Sequence, residues 1–305
     1  MEIAQQDERV FLITGDLGFG VLNEFASSFP KQFLNAGIAE QNMTGLAVGM
    51  ALEGRIVFTY SICNFPTFRC LEQIRNDAAY HKANVKIVSV GAGFSYGALG
   101  FSHHAIEDLA VMRAIPGVTV VSPGDPIEVA QATHEIYKRP GTCYLRLGKG
   151  GELQVHSNHQ EKNDFQIGKA IQILEGSEIV IFATGGILKN AYDAALTLQK
   201  RNLNVGLYSF HTLKPVDIGL IQSVASKAKV LITVEEHSLI GGLGSVVAEV
   251  TSQMVGRKSV LKMLGINDSF PSMVGDQAYL RDIYGLSVEG IVNSIQEMVK
   301  NLSEI

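Results

Sequence analysis

The chain has 305 residues, enough for about two domains of ordinary size. Hydrophobic residues make up 46% and charged residues 18%, with 31 glycines and 8 prolines, a composition that excludes extensive disorder and fits a compact protein with many tight turns. The 25 basic and 30 acidic residues give a net charge of −5, and no dense Lys/Arg run is present, so nucleic acid is excluded as a partner.

Apolar runs of strand length occur at residues 10–14, 55–60, 85–90, 118–122 and 143–147. Helices fit between them at 39–52, 68–82 and 125–138, the last opening with Asp125-Pro126, an N-cap followed by proline at the first helical position. Residues 151–166 are poor in apolar side chains and read as a linker between domains spanning 1–150 and 167–305. Beyond it the alternation restarts, with strands at 170–174, 179–183, 205–209, 230–234 and 260–264 and helices at 188–201, 215–228, 244–254 and 287–302. The expected fold class is α/β, two doubly wound domains with mostly parallel sheets. Cys63, Cys70 and Cys143 form no C-x-x-C pair and read as reduced thiols. The N-terminal residues lack the character of a signal peptide and no apolar run reaches membrane-spanning length, so the expected location is the cytoplasm, with no membrane partner.

Within the helix at 39–52, Met43, Leu46, Ala47, Met50 and Ala51 make one apolar stripe, and Glu40 continues it backwards. An inward-facing carboxylate in a first turn fits complementation of the helix dipole, and it equally fits a binding role. The segment Gly37-Ile38-Ala39-Glu40-Gln41-Asn42-Met43 resembles the pyrimidine domain of transketolases, deoxyxylulose-phosphate synthases and 2-oxo-acid dehydrogenase beta subunits. Further stretches follow in order: Arg69, Glu72-Gln73-Ile74-Arg75, Ser102-His103, Ala105 to Gly117, Val121 to Asp125, and Tyr144-Leu145-Arg146-Leu147-Gly148-Lys149. Together they are most similar to two-chain transketolases.

The resemblance implies thiamine diphosphate as cofactor, with Glu40 bonding its pyrimidine N1′ so that the cofactor becomes its own base, and transfer of a two-carbon ketol unit from a ketose to an aldehyde. It places Phe65 and Phe68 where the family stacks the pyrimidine, Asp16 near a loop closing the cofactor site, and His103 on substrate oxygens. His104 occupies a position that is often glutamine. Arg69, Arg146 and Lys149 map to positions that bind substrate phosphate in some relatives, so sugars or sugar phosphates are the implied substrates. Core packing for either phenylalanine, helix capping for Asp16 and solubility for the basic residues remain open as alternatives.

The pattern departs from the family at Leu99, where an acidic residue stands in relatives, and at Gly91, where single-chain transketolases have a histidine. Both changes bear on the choice of sugar. The family holds Mg²⁺ and the diphosphate with a Gly-Asp-Gly segment and paired asparagines. Gly15-Asp16-Leu17 is not that motif, and no Asn-Asn pair occurs. The expectation is therefore a separate N-terminal, diphosphate-binding subunit, a heterotetramer, and no activity from this chain alone. In the second domain, Gly241, Gly242 and Gly244 read as a close-packing turn and His237 as a candidate for the active-site edge. Competing readings are a 2-oxo-acid dehydrogenase beta subunit and a non-catalytic α/β regulatory subunit; a nucleotide-binding protein fits less, since no G-x-G-x-x-G follows the first strand.

Overall fold

The computed structural model describes residues 1–156 and 165–303. The first half supplies strands β1 (Val10–Thr14), β2 (Phe33–Asn35), β3 (Ile56–Ile62), β4 (Val85–Val90), β5 (Thr119–Val121) and β6 (Cys143–Leu147). The second supplies β7 (Ile171–Leu174), β8 (Ile179–Thr184), β9 (Val205–Ser209), β10 (Thr212–Lys214), β11 (Val230–Ser238) and β12 (Val260–Ile266). They form a seven-stranded sheet of order β10-β5-β6-β4-β3-β1-β2 and a five-stranded sheet of order β12-β11-β8-β9-β7. All pairings are parallel except β10 with β5 and β7 with β9. This is the expected α/β architecture. Every residue of β4 and β8 is buried, as strands covered by helices on both faces must be.

Several elements differ from the sequence reading. β10 lies in the second half of the chain yet forms an antiparallel edge of the first sheet, where Lys214 Nζ donates to the carbonyls of Arg113 (2.8 Å) and Ile115 (2.5 Å). One core cluster accordingly runs from Ile13, Met43 and Leu109 through to Phe182, Phe210, Leu243 and Val247. The two halves share apolar interior. In place of the helix expected at 68–82 are a short turn at Leu71–Gln73 and a π-helical segment at Ile74–Ala79, preceded by another short turn at Asn64–Thr67. Widened turns of this kind occur frequently beside functional sites.

At the helix Pro126–Lys138 the expected cap is present: Asp125 Oδ1 accepts from Glu128 N at 2.9 Å. Its other oxygen does different work. Asp125 Oδ2 accepts from the backbone N–H of Val155 and His156, both at 2.9 Å, and meets His156 Nδ1 at 3.0 Å. Burial alone would raise the Asp125 carboxyl, but these donors hold it below the ordinary carboxylate range. Burial would likewise lower His156, yet Asp125 and Glu128 beside it raise it above its usual value. The start of the expected linker is therefore clasped to this helix, while its residues 157–164 lie outside the described residues.

Candidate active site

Parallel strands leave their C-terminal ends open to ligands, because the loops there run to helix starts rather than to neighbouring strands. The candidate residues gather at that end of the first sheet. The turn after β1 carries Asp16, the loop after β2 leads to Glu40, the segment after β3 carries Phe65, Phe68 and Arg69, and the segment after β4 carries His103 and His104. A pocket of about 710 Å³ opens among them, lined by Asn64, Phe65, Phe68, Arg69, Phe101, Ser102, His104, Ile106, Glu107, Phe270 and Pro271.

Glu40 is the first residue of the helix Glu40–Leu52, with 3% of its surface exposed. A Cβ at Gly15 would come within 3.5 Å of its Cγ, so the chain after β1 passes close against it. Glu40 Oε2 accepts from Arg69 Nη1 at 2.7 Å, and the Arg69 guanidinium carbon lies 4.7 Å over the Phe65 ring. The Phe65 ring also meets the edge of the His103 ring at 5.4 Å. A buried carboxylate beside an aromatic face is the combination a flat, hydrogen-bonding heterocycle requires, so these residues fit the pyrimidine of thiamine diphosphate.

Asn64 braces the facing segment, donating from Nδ2 to the carbonyls of Ser102 (2.9 Å) and His104 (3.1 Å). Its Oδ1 is buried and has no protein partner. His104 is also buried, with Nε2 3.0 Å from the Gly97 carbonyl, a partner that requires a donor there. In the neutral ring Nδ1 is then an acceptor, and it too lacks a protein partner. His103 is half-buried, with Nδ1 3.1 Å from Ser102 Oγ. Asp16 sits at φ 59, in the left-handed region that aspartate tolerates better than most residues, and its Oδ1 accepts from Asn35 Nδ2 at 2.9 Å. Asn35 Oδ1 in turn accepts from the backbone N–H of Asp16 and Gly37, each at 3.0 Å, tying the β1 and β2 loops together in front of Glu40.

Arg146 is a correction. It lies in β6 between β5 and β4, and its side chain is 1% exposed. Its Nε and Nη2 meet the Asp108 carboxylate at 2.8 and 3.1 Å, and Nη2 also donates to the carbonyls of Ala105 and Glu236. Burial alone would push the Asp108 carboxyl up, but Arg146, backed by His237 and by the Tyr144 hydroxyl at 2.7 Å, holds it below its usual range. This guanidinium is committed to joining the two halves, not to a substrate phosphate. His237 is likewise fully buried, Nδ1 2.8 Å from the Ser238 carbonyl, and does not reach the pocket. Lys149 is exposed, with Nζ 5.5 Å over the Tyr96 ring, and does not line the pocket. The glycine-rich loop spends its donors internally: Glu235 accepts from Leu243 N at 2.7 Å and Gly244 N at 2.8 Å.

Part of the pocket wall comes from residues that no local motif marks. Phe270 and Pro271 reach it from the second half of the chain, with the Phe101 and Phe270 rings 6.1 Å apart. Nothing in their local pattern marks them as pocket residues. Glu107 also lines the pocket, and burial, followed by the neighbouring Asp108 charge, raises its carboxyl above the usual range. At Gly91, with φ 99, an added Cβ would lie 2.3 Å from the Tyr96 ring. The tyrosine thus fills the space that a side chain at position 91 would need. Leu99 is exposed. Among the described residues no group of three or more His, Cys, Asp and Glu side chains is placed to hold a metal ion.

Comparison with known proteins matches two family models, the pyrimidine binding domain of transketolase over residues 1–151 and the transketolase C-terminal domain over residues 168–291. An apulose-4-phosphate transketolase subunit of Phocaeicola vulgatus is 36% identical over 301 residues, 98% of this chain and 95% of that one. A 6-deoxy-6-sulfo-D-fructose transketolase subunit of Clostridium sp. strain MSTE9 is 33% identical over 301 residues, 98% and 92% of the two chains. A solved structure described as a split gene transketolase, an inactive beta4 tetramer, superposes with a TM-score of 0.85 at 34% identity, covering 97% of this chain and 93% of that one. By sequence and by fold, the chain belongs to the transketolase family and corresponds to its pyrimidine-binding and C-terminal domains.

Proposed function

We propose that this chain is the pyrimidine-binding subunit of a thiamine-diphosphate-dependent transketolase that moves a two-carbon ketol unit from a ketose to an aldehyde, and that a second polypeptide supplies the diphosphate and Mg²⁺ ligands. The observation that carries this is the buried Glu40 carboxylate, linked through the Arg69 guanidinium to the Phe65 ring that lines the pocket, at the open ends of the strands. When bound, the cofactor supplies the nucleophilic carbon that cleaves the donor and carries the two-carbon unit. Glu40 would share a proton with pyrimidine N1′, Phe65 and Phe68 would offer the ring an apolar slot, and the loop of Asp16 would lie near the cofactor site. The unpaired acceptors Asn64 Oδ1 and His104 Nδ1, with His103 opposite Phe65, suit substrate hydroxyl groups, since an unpaired buried acceptor gains from any donor brought to it. Arg69, half exposed at the pocket, suits an anionic end of a sugar.

A separate partner is supported by the relatives, two of which are named as subunits of transketolases. The related split-gene chain described as an inactive beta4 tetramer supports the reading that the chain alone is incomplete. The two sugars in the relatives' names differ, so the donor here is assigned only as a ketose or ketose phosphate. The assembly proposed is a heterotetramer of two copies of each chain, in the cytoplasm.

The test is capture with this chain tagged, from source lysate supplemented with thiamine diphosphate and Mg²⁺, followed by a ketose-cleavage assay on the purified complex. A stoichiometric second chain carrying Gly-Asp-Gly and paired asparagines, with ketose cleavage, is the expected result. Tight cofactor binding by this chain alone, or decarboxylation of a 2-oxo acid in place of ketose cleavage, would overturn the assignment.

A further inference from the structure

Arg69 does two things at once that a bound aminopyrimidine would also do. It donates a hydrogen bond to the Glu40 carboxylate at 2.7 Å, and its guanidinium carbon lies 4.7 Å over the Phe65 ring. A guanidinium is planar, carries N–H donors at its edge and packs on aromatic faces, so it shares with an aminopyrimidine the features these two partners select. A heterocycle stacked on Phe65 and bonded to Glu40 cannot coexist with the guanidinium at the same carboxylate oxygen and ring face. The two are competitors.

We infer that Arg69 is a positioning residue that stands in for the pyrimidine ring, keeping Glu40 and Phe65 engaged, and that cofactor binding must displace it toward the pocket mouth. This rests on the assignment of Glu40 and Phe65 as the pyrimidine's partners. The mobile member of the pair is identified by exposure: the Arg69 side chain is 50% accessible and that of Glu40 only 4%. Glu40 is fixed at the start of a helix, whereas Arg69 sits in the interruption between the short turns Asn64–Thr67 and Leu71–Gln73. A half-exposed ion pair dissociates readily and is screened by salt. The arrangement therefore neutralises the buried carboxylate without sealing the site. A purely structural ion pair predicts that loss of Arg69 leaves the binding of a pyrimidine unchanged or weaker; a stand-in predicts that it becomes stronger.

The probe is the isolated aminopyrimidine, 4-amino-5-hydroxymethyl-2-methylpyrimidine, titrated calorimetrically into the full chain at a pH where it is neutral. Arg69→Ala should bind it about fivefold more tightly than the wild type, the competition being one exposed ion pair and one cation–π contact. Arg69→Lys, which keeps the charge and loses the planar fork, should fall between them. Raising salt from about 20 mM to about 300 mM should strengthen binding of this neutral probe to the wild type, because it screens the competitor, and leave Arg69→Ala unaffected. Arg69→Gln serves as the second variant if the alanine form does not fold. If removal of Arg69 weakens binding or leaves it unchanged while Glu40→Gln still impairs it, the stand-in role is wrong and the site assignment stands. If Glu40→Gln binds the probe as well as the wild type, the assignment of Glu40 fails and the stand-in role fails with it; if no form binds it at millimolar concentration, removal of Arg69 has not opened the site and the stand-in role alone fails.

Discussion

Charged side chains inside a strand or at a helix start are ambiguous in sequence, and here burial and partners separate their roles. Glu40 sits where a carboxylate complements a helix dipole, and its side chain accepts from Arg69. Arg146 resembles Arg69 in sequence as a possible anion ligand; its neighbours Tyr144, Leu145 and Leu147 and its place in a central strand point instead to a buried partner, found in Asp108. Replacing Arg146 with Met should destabilise the chain by about 3–5 kcal/mol, the cost of leaving the partner charge buried and unpaired. Chemical denaturation checks this. An unchanged midpoint would mean that Asp108 is satisfied by Tyr144 and His237 alone. The candidates that local motifs single out, Glu40, Phe65, Arg69, His103 and His104, are brought to one end of the first sheet. Phe270, Pro271 and the Tyr96 that covers Gly91 are not singled out in sequence, because their roles arise from contacts distant in sequence or from space left by a missing side chain.

At the scale of elements, the parallel strands are readable because burial on both faces makes them continuous apolar runs, as in β4 and β8. Short edge strands carry no such signal. β2 is mostly exposed and β10 is only Thr212–Lys214. The broken helix after β3 escapes a sequence reading because periodicity does not distinguish a π turn from an α turn over six residues. The clasp at residues 155–156 carries a pH dependence. The folded value of His156 is raised above its usual 6.5, so its stabilising contribution is complete below that pH and is lost as pH rises through the raised value. The melting temperature of His156→Gln should therefore lie a few degrees below that of the wild type at mildly acid pH, with the gap closing toward pH 9 (about 4 °C or less for a chain of this size). Melting curves across that range decide it, and a gap that widens with pH would contradict the pairing with Asp125.

Across the whole molecule, the division into a pyrimidine half and a C-terminal half understates how closely the halves are joined. β10 closes the edge of the first sheet, Lys214 holds the carbonyls of Arg113 and Ile115, and Glu236 accepts from Phe94 N in one half and from Arg281 in the other, Nε at 2.6 Å. Residues 1–151 expressed alone should therefore be poorly packed and prone to association, with β5 left as an unpaired edge and the shared core cluster deprived of Phe182, Phe210, Leu243 and Val247. A dispersed amide NMR spectrum from that fragment would show that the halves are independent. The same junction brings Phe270 and Pro271 to the pocket, so the second half shapes the site as well as supporting it.

Glu40 is assigned here to activate a cofactor shared with a partner chain. Two-carbon transfer by the enzyme reconstituted from both chains, with wild-type or Glu40→Gln subunit, tests it most directly. The variant should assemble normally and lose about 10²–10⁴-fold in turnover, the range for removal of a group that handles an essential proton. Undiminished turnover by the assembled variant would contradict it.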